Sequence, residues 1–380
     1  MHIADFDFDL FLRDYWQKRP LLIRNPWTSW TNPLEPDELA GLACEDGIEA
    51  RLVRRTRKTW KAEHGPFAES RFGKLGKKPW TLLVQAVDHH VPQVAALIGP
   101  FRFVPNWRID DVMVSYASDG GGVGPHFDRY DVFLIQGLGR RRWQVGGICD
   151  AATPLLPHDE LRLLADFEPT GEWVLEPGDI LYVPPGIAHN GVAVGDDCMT
   201  YSIGFRAPSR SELIAHWCDH LLGTLPDDDR YGDPDLKAQD NPGEITPQAL
   251  AGLQAMIAEK MLDRDAFARW FGQHNSARKY PDMDWAPEEP ITAAALRVQL
   301  ARDGALCRNP ASRFSFVRQS RLLFVDGQCF EYGPEIAVLA EGLCARDHLT
   351  IDPALLKSAS AMELLAGLFN QGSLAFDRAD

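Results

Sequence analysis

His126 and Asp128 stand two residues apart within GGGVGPHFDRYDVFLIQGLGRRR, residues 120–142, and this pair constrains the chain more than any other feature. On an extended strand, residues i and i+2 leave the same face, so one imidazole and one carboxylate aim at a common point. A third ligand is offered by His189, at the end of EPGDILYVPPGIAHN, residues 176–190. Two histidines and a carboxylate cap one face of an octahedron and leave three cis positions open, the geometry of non-haem Fe(II) oxygenases. A lone H-x-D arises by chance in many chains. Here Gly120 precedes His126 by six residues, and Gly178, Pro184 and Gly186 lead to His189 in a G-x5-P-x-G-x2-H pattern. Together the halves are specific where either alone is weak. The glycines let the backbone turn tightly beside a metal, and Pro184-Pro185-Gly186 stiffens the bend that delivers His189.

The two half-motifs resemble the paired metal motifs of cupin and jelly-roll proteins, with Asp128 where many cupins carry a second histidine. The surrounding pattern agrees. Short β-rich runs recur at Asp111–Tyr116, Val132–Gln136, Arg141–Val145, Glu172–Leu175, Ile180–Val183 and Met199–Phe205, with turn residues such as Glu176-Pro177-Gly178-Asp179 between them. Such spacing predicts a double-sheet jelly roll, and Cys149–Pro169 reads as an insertion between two strands.

At 380 residues the chain has room for two or three domains. No run approaches the roughly 18 apolar residues of a membrane span. The acidic start MHIADFDFDLF has no charged leader or cleavage site, and the seven scattered cysteines form no C-x-x-C. Reduced thiols and a cytoplasmic location are expected. A net charge of −15 argues against general nucleic-acid affinity and favours a basic partner. Arg51–Trp80 runs the other way, with ten Lys/Arg against two Glu and four interleaved aromatics. It reads equally as a solvated strand face and loop or as a surface touching RNA.

YDVFLIQGLGRRRW, EPGDILYVPPGIAHNG and YSIGFRAP, with FLRDYWQKRPLLIRN near the start, resemble the Jumonji-C-type ribosomal oxygenases, in particular the bacterial hydroxylases of an arginine in a large-subunit ribosomal protein. The resemblance covers most of the chain and is most specific over residues 107–207. It implies an Fe(II)- and 2-oxoglutarate-dependent dioxygenase that consumes O2, with His126, Asp128 and His189 as ligands.

That co-substrate needs a cation for its distal carboxylate, and Arg140, Arg141 and Arg142 compete. Arg141 shares strand parity with Trp143 and Val145; if those apolar residues face the barrel interior, so does Arg141. Its fork suits a carboxylate, and Ser115 could add a hydroxyl from the face that carries Met113. Arg206, after the last strand, is the rival. For a cationic substrate, Asp110, Asp111, Asp119 and Asp131 flank the iron motif as candidate carboxylates. His216 and His220 form an i,i+4 pair on an apolar-striped helix and read as a packing or surface pair, while His64, His158, His274 and His348 look isolated. Two functions outside arginine hydroxylation stay open: hydroxylation of a ribosomal-protein histidine, and a metal-binding cupin that acts as a binding protein without oxygenase activity.

The fold expected is α+β: a jelly-roll core at 101–207, an N-terminal α/β region at 1–100 packing on it, a helical region at 208–285, and a winged-helix-like module at 286–380. Within the first region, helices are expected at Phe8–Gln17 and Glu35–Ala43, with a strand at Leu21–Arg24. After Pro208, Ser209-x-x-Glu212 reads as a capping box for a helix to Leu222, closed by Gly223 and Pro226. Thr246-Pro247 starts another, with Leu250, Leu253, Ile257 and Met261 on one face. Apolar stripes beyond a closed barrel want a partner, and the resembling enzymes are homodimers through such helices; an intramolecular lid is the alternative. Toward the end, Asp326-Gly327 reads as a tight hairpin turn and Ser360-x-x-Glu363 as the cap of the last helix.

Overall fold

Strands form where β-branched and aromatic residues cluster between Gly/Pro turns, and in the first half of the chain all of them pair antiparallel. A computed structural model describes residues 3–4, 6–55, 59–76 and 78–377. They fall into two units, Met1–Ala207 with Asp282–Asp284 and Asn309–Ala311, and Pro208–Pro281 with Trp285–Arg308 and Ser312–Asp380.

The first unit holds strands β1 (Leu21–Ile23), β2 (Ala50–Arg55), β3 (Trp60–His64), β4 (Trp80–Val84), β5 (Ile109–Ala117), β6 (Asp131–Ile148), β7 (Gly171–Leu175), β8 (Ile180–Val183) and β9 (Ile187–Phe205). One sheet runs β1-β8-β6-β9-β5-β4-β2-β3, with β7 also on β6. It curls into the jelly roll because β6 and β9 are long and change course. Residues 131–136 of β6 pair with 200–205, whereas 140–145 pair with 189–194. The register shifts on either side of Leu138, where Gly139 takes φ of 58°. Two short strands expected on either side of Gly137 are therefore one bulged strand. The strands of the N-terminal region extend the same sheet rather than forming a separate one.

Helices α1 (Phe8–Asp14) and α2 (Pro36–Leu42) are shorter than expected by up to three residues. Asp7 caps α1 by accepting the Leu10 N–H at 2.8 Å. Buried Phe11 drops into an aromatic cluster, 4.9 Å from the Tyr182 ring and 5.5 Å from Phe133. The segment that follows clasps the second half-motif. The Gln17 N–H donates to the Tyr182 hydroxyl at 2.7 Å, β1 pairs with β8, and Trp27 Nε1 donates to the Gly178 carbonyl at 2.8 Å. Helix α3 (Pro92–Ala95) is a single turn continued by 3-10 geometry to Phe101.

The second unit opens with α4 (Arg210–Thr224), whose capping box is present: Ser209 Oγ accepts the Glu212 N–H and Glu212 accepts the Ser209 N–H. The helix runs through Gly223, so that glycine does not close it. Helices α5 (Pro247–Met261) and α6 (Arg264–Ser276) follow. Trp217 of α4 meets Trp270 of α6 at 5.1 Å, and His274 lies 4.9 Å from His216, so His274 is not isolated. Then come α7 (Ala293–Asp303), β10 (Ala305–Arg308), β11 (Phe314–Val317), β12 (Leu322–Val325), β13 (Gln328–Glu331), α8 (Ala337–Ala345), β14 (His348–Thr350), α9 (Ala359–Asn370) and β15 (Leu374–Phe376). Asp326 and Gly327 both have positive φ, which the tight β12–β13 hairpin needs. Ser358, not Ser360, caps α9 by accepting the Ala361 N–H at 3.2 Å. Among the described residues no helix is long and apolar enough to cross a membrane.

Candidate metal centre

The H-x-D motif lies in a loop between β5 and β6 rather than on a regular strand. One antiparallel bridge supplies the geometry a strand would have given. His126 and His189 exchange both backbone hydrogen bonds, N–H to carbonyl, at 3.0 and 2.8 Å, and Gly186 N–H donates to the Asp128 carbonyl at 2.7 Å. The two half-motifs are thus held by main chain. Gly124 makes the turn possible: its φ is 89°, and a Cβ there would meet the Trp60 ring at 2.8 Å and Leu163 at 2.9 Å.

His126, Asp128 and His189 each present a ligand atom within 4.8 Å of the other two. Asp128 Oδ2 lies 3.5 Å from His189 Nε2 and 4.0 Å from His126 Nε2. Each ring turns its Nδ1 to a backbone carbonyl, His126 to Gly124 at 2.8 Å and His189 to Ile187 at 2.9 Å. With Nδ1–H donated there, the Nε2 lone pairs are left for a cation, the usual outer support of a metal-binding histidine. Burial, helped by His126 and opposed by Asp128, lowers the His189 pKa to about 4, which keeps that imidazole in its neutral, ligating form.

A cavity of about 300 Å³ opens beside these three residues. Its walls come from alternate positions of several strands, including Met113 and Ser115 on β5, Arg141 and Trp143 on β6, and Thr200 and Ser202 on β9. Arg141 is only 4% exposed, while Arg140 and Arg142 are exposed. Its guanidinium carbon sits 5.7 Å from the Trp143 ring, and its Nε and Nη2 have no hydrogen-bond partner. Two unpaired donors of a buried cation, facing a cavity with a two-histidine, one-carboxylate cluster, fit an acidic ligand. Buried Ser115 lines the same cavity.

The rival Arg206 lies elsewhere, donating to the Trp107 carbonyl at 3.1 Å and 3.9 Å from Asp110. None of the four flanking acids lines the cavity. Asp131 is fully buried and accepts from Tyr182 at 2.6 Å, Gln17 at 2.9 Å and Arg108 at 3.0 Å, a structural knot rather than a substrate carboxylate. Asp119 caps a turn by accepting the Gly195 N–H. Asp111, one alternation before Met113, is fixed by Gln85 and Ala86 N–H donors on Oδ2.

No motif or spacing marks Tyr130, which lines the cavity with its ring partly exposed. Burial and the carboxylates of Asp128, Asp111 and Asp110 raise its pKa well above the ordinary tyrosine range, so the hydroxyl keeps its proton. The insertion roofs the cavity with Glu160–Leu163. His158 fastens that roof, accepting the Glu160 and Leu161 N–H groups and reaching the Trp60 carbonyl at 3.2 Å; His64 lies 3.4 Å from Glu160. In the basic stretch, Arg51 lines the cavity, Arg54 and Arg71 both pair with Glu63, and Thr56, Arg57, Lys58 and Lys77 lie outside the described residues.

The JmjC domain family matches residues 96–213, and the ROXA-like winged helix matches residues 256–375. The chain is similar to the ribosomal protein uL16 3-hydroxylase of Escherichia coli, 44% identical over 74% of each chain. It is also similar to a probable ribosomal oxygenase of Haemophilus influenzae, 37% identical over 84% of this chain and 81% of that one. The solved E. coli ribosomal oxygenase YcfD in complex with cobalt and 2-oxoglutarate superposes with a TM-score of 0.88 at 36% identity, covering 99% of each chain.

Proposed function

This chain belongs to the JmjC ribosomal oxygenases, and from that premise we propose that it hydroxylates an arginine side chain of a large-subunit ribosomal protein. His126, Asp128 and His189 would hold Fe(II), and Arg141 with Ser115 the distal carboxylate of 2-oxoglutarate. Bound there, iron with 2-oxoglutarate and O2 supplies an oxidant for an unactivated C–H bond, yielding the alcohol, succinate and CO2. The protein's own share is placement. The His126–His189 bridge fixes the ligands, Arg141 sets how deep the co-substrate sits, and Leu161 and Leu163 keep water from the roof side.

One observation carries the choice of arginine. A Cβ placed on Gly204 would lie 3.8 Å from the Tyr130 ring and 3.9 Å from both Asp110 Cβ and Asp111 Oδ1. The Tyr130 ring and one carboxylate, that of Asp111, therefore border a position with no side chain, two residues along β9 from the cavity-lining Ser202. A guanidinium stacks on such a ring and carries its charge at every physiological pH, whereas an imidazole is mostly neutral near pH 7. The net charge of −15 suits a basic ribosomal protein as the target. Mass spectrometry of ribosomal proteins from a deletion strain should show one lost +16 Da mark, on an arginine. A lost mark on a histidine would replace this reading with the other hydroxylase.

The working unit is proposed to be a homodimer through the helices that follow the barrel. Leu250, Ile257 and Leu262 on and after α5 are 51%, 65% and 76% exposed, and Ile214 and Leu222 of α4 are exposed too. Apolar surface on that scale is normally covered, and a second copy of the chain is the occupant we assign. Sedimentation at micromolar concentration should show a dimer, which Ile257→Arg should shift toward monomer. A wild-type monomer would refute it.

A further inference from the structure

We propose that Thr81 is an additional binding residue for the distal carboxylate of the co-substrate, which rests on the assignment of that carboxylate to Arg141. Thr81 is fully buried, lines the cavity, and its hydroxyl has no hydrogen-bond partner. Buried hydroxyls are nearly always paired, because desolvation without a bond is unfavourable. Packing alone does not call for the oxygen. Val53, the cross-strand partner of Thr81, and Leu83, two residues along the same face of β4, are apolar and line the same cavity, so valine would fill the position.

Strand register sets where the hydroxyl points along the cavity. Thr81 is paired with Ala117 of β5, and Arg141 with Ala193 of β9. Ala117 and Ala193 pack in one small cluster with Cys198. Two methyl groups thus stand between Thr81 and Arg141, where larger residues would fill the space. Ser115 completes the set, since Leu83 of β4 is its direct neighbour. The unpaired indole N–H of Trp143 lies toward the other end, its ring 5.9 Å from His189. The buried donors without partners in this cavity are then sorted: Trp143 beside the metal ligands, Arg141 and Thr81 at the deep end. A carboxylate has about four acceptor positions, so a guanidinium fork and one hydroxyl can bind it together.

The test reads binding, not turnover. Calorimetric titration of the cobalt-loaded full chain with 2-oxoglutarate, and with 2-oxopentanoate, which has a methyl group in place of the distal carboxylate, separates the two ends of the ligand. Thr81→Val is expected to weaken 2-oxoglutarate about 10-fold or more, as loss of one hydrogen bond to a charged group does. Thr81→Ser should recover to within about 2-fold, and 2-oxopentanoate should bind wild type and Thr81→Val equally. A Thr81→Val protein that binds 2-oxoglutarate within about 2-fold of wild type, or that loses both ligands alike, overturns the assignment. If instead wild type does not prefer 2-oxoglutarate over 2-oxopentanoate and Arg141→Ala changes nothing, the carboxylate site itself is misplaced and Thr81 falls with it.

Discussion

Replacing His189 with alanine is expected to abolish succinate formation and stoichiometric iron binding while the barrel stays folded. The imidazole is 2% exposed and is one of three clustered candidate ligands, so its loss leaves two donors from a single loop. Two donors cannot fix a facial site. The fold should survive because the bonds that join the half-motifs run through the His189 backbone, which alanine keeps. Truncating one buried ring leaves a cavity, and a stability loss of about 1–3 kcal/mol is reasonable for a change of this kind. Circular dichroism and thermal melting would confirm the fold, with metal analysis and a succinate assay on the same sample. Full iron content with continued succinate production would sink the triad assignment.

Arg141→Ala should raise the 2-oxoglutarate requirement by roughly 30-fold or more at nearly unchanged iron binding. Breaking a buried charge-assisted pair typically costs about 2–5 kcal/mol, much of it from the partner left unpaired, and 1.4 kcal/mol is about tenfold. Alanine at Arg140 or Arg142 should change this parameter little, since both side chains are exposed. The comparison is internal: three adjacent arginines on one strand, of which only the middle one enters the cavity. A large shift on Arg142→Ala with none on Arg141→Ala would move the carboxylate to the outer face of β6.

The inward direction of Arg141 could be read from parity, because Trp143 and Val145 mark the buried face of its strand and both are indeed buried. The proximity of His126, Asp128 and His189 could be read from two spaced patterns that share a chemistry. Other features depend on partners too distant to see in a linear pattern. Asp131 looks like any acid in a turn, and its burial becomes evident only when Gln17, 114 positions away, and Arg108 reach it. Gly137 and Gly139 read as a break in β6, yet pairing to β9 on both sides carries the strand across as a bulge. Strand β3 was hidden in a run of charge. Lys61 and Glu63 alternate with Trp60, Ala62 and His64, and among the described residues it pairs only with β2, at the end of the sheet. Thr81 is an ordinary strand residue by type; its missing partner is a property of the cavity alone.

The clasp on the Gly178–Tyr182 turn also sets an order for biosynthesis. Trp27 and Gly178 are 151 positions apart, and elongation at about 5–20 residues per second separates their appearance by roughly 8–30 s. Through that interval Phe11 and its helix lack Tyr182, and β1 has no strand to join. A segment translated well before Gly178 is therefore among the last to be secured. His189 emerges later still, so a nascent chain carries His126 and Asp128 without a site to complete. Arrest of translation before residue 180 would present an uncovered aromatic helix, the kind of surface that chaperones retain, and metal loading has to wait until the barrel has closed.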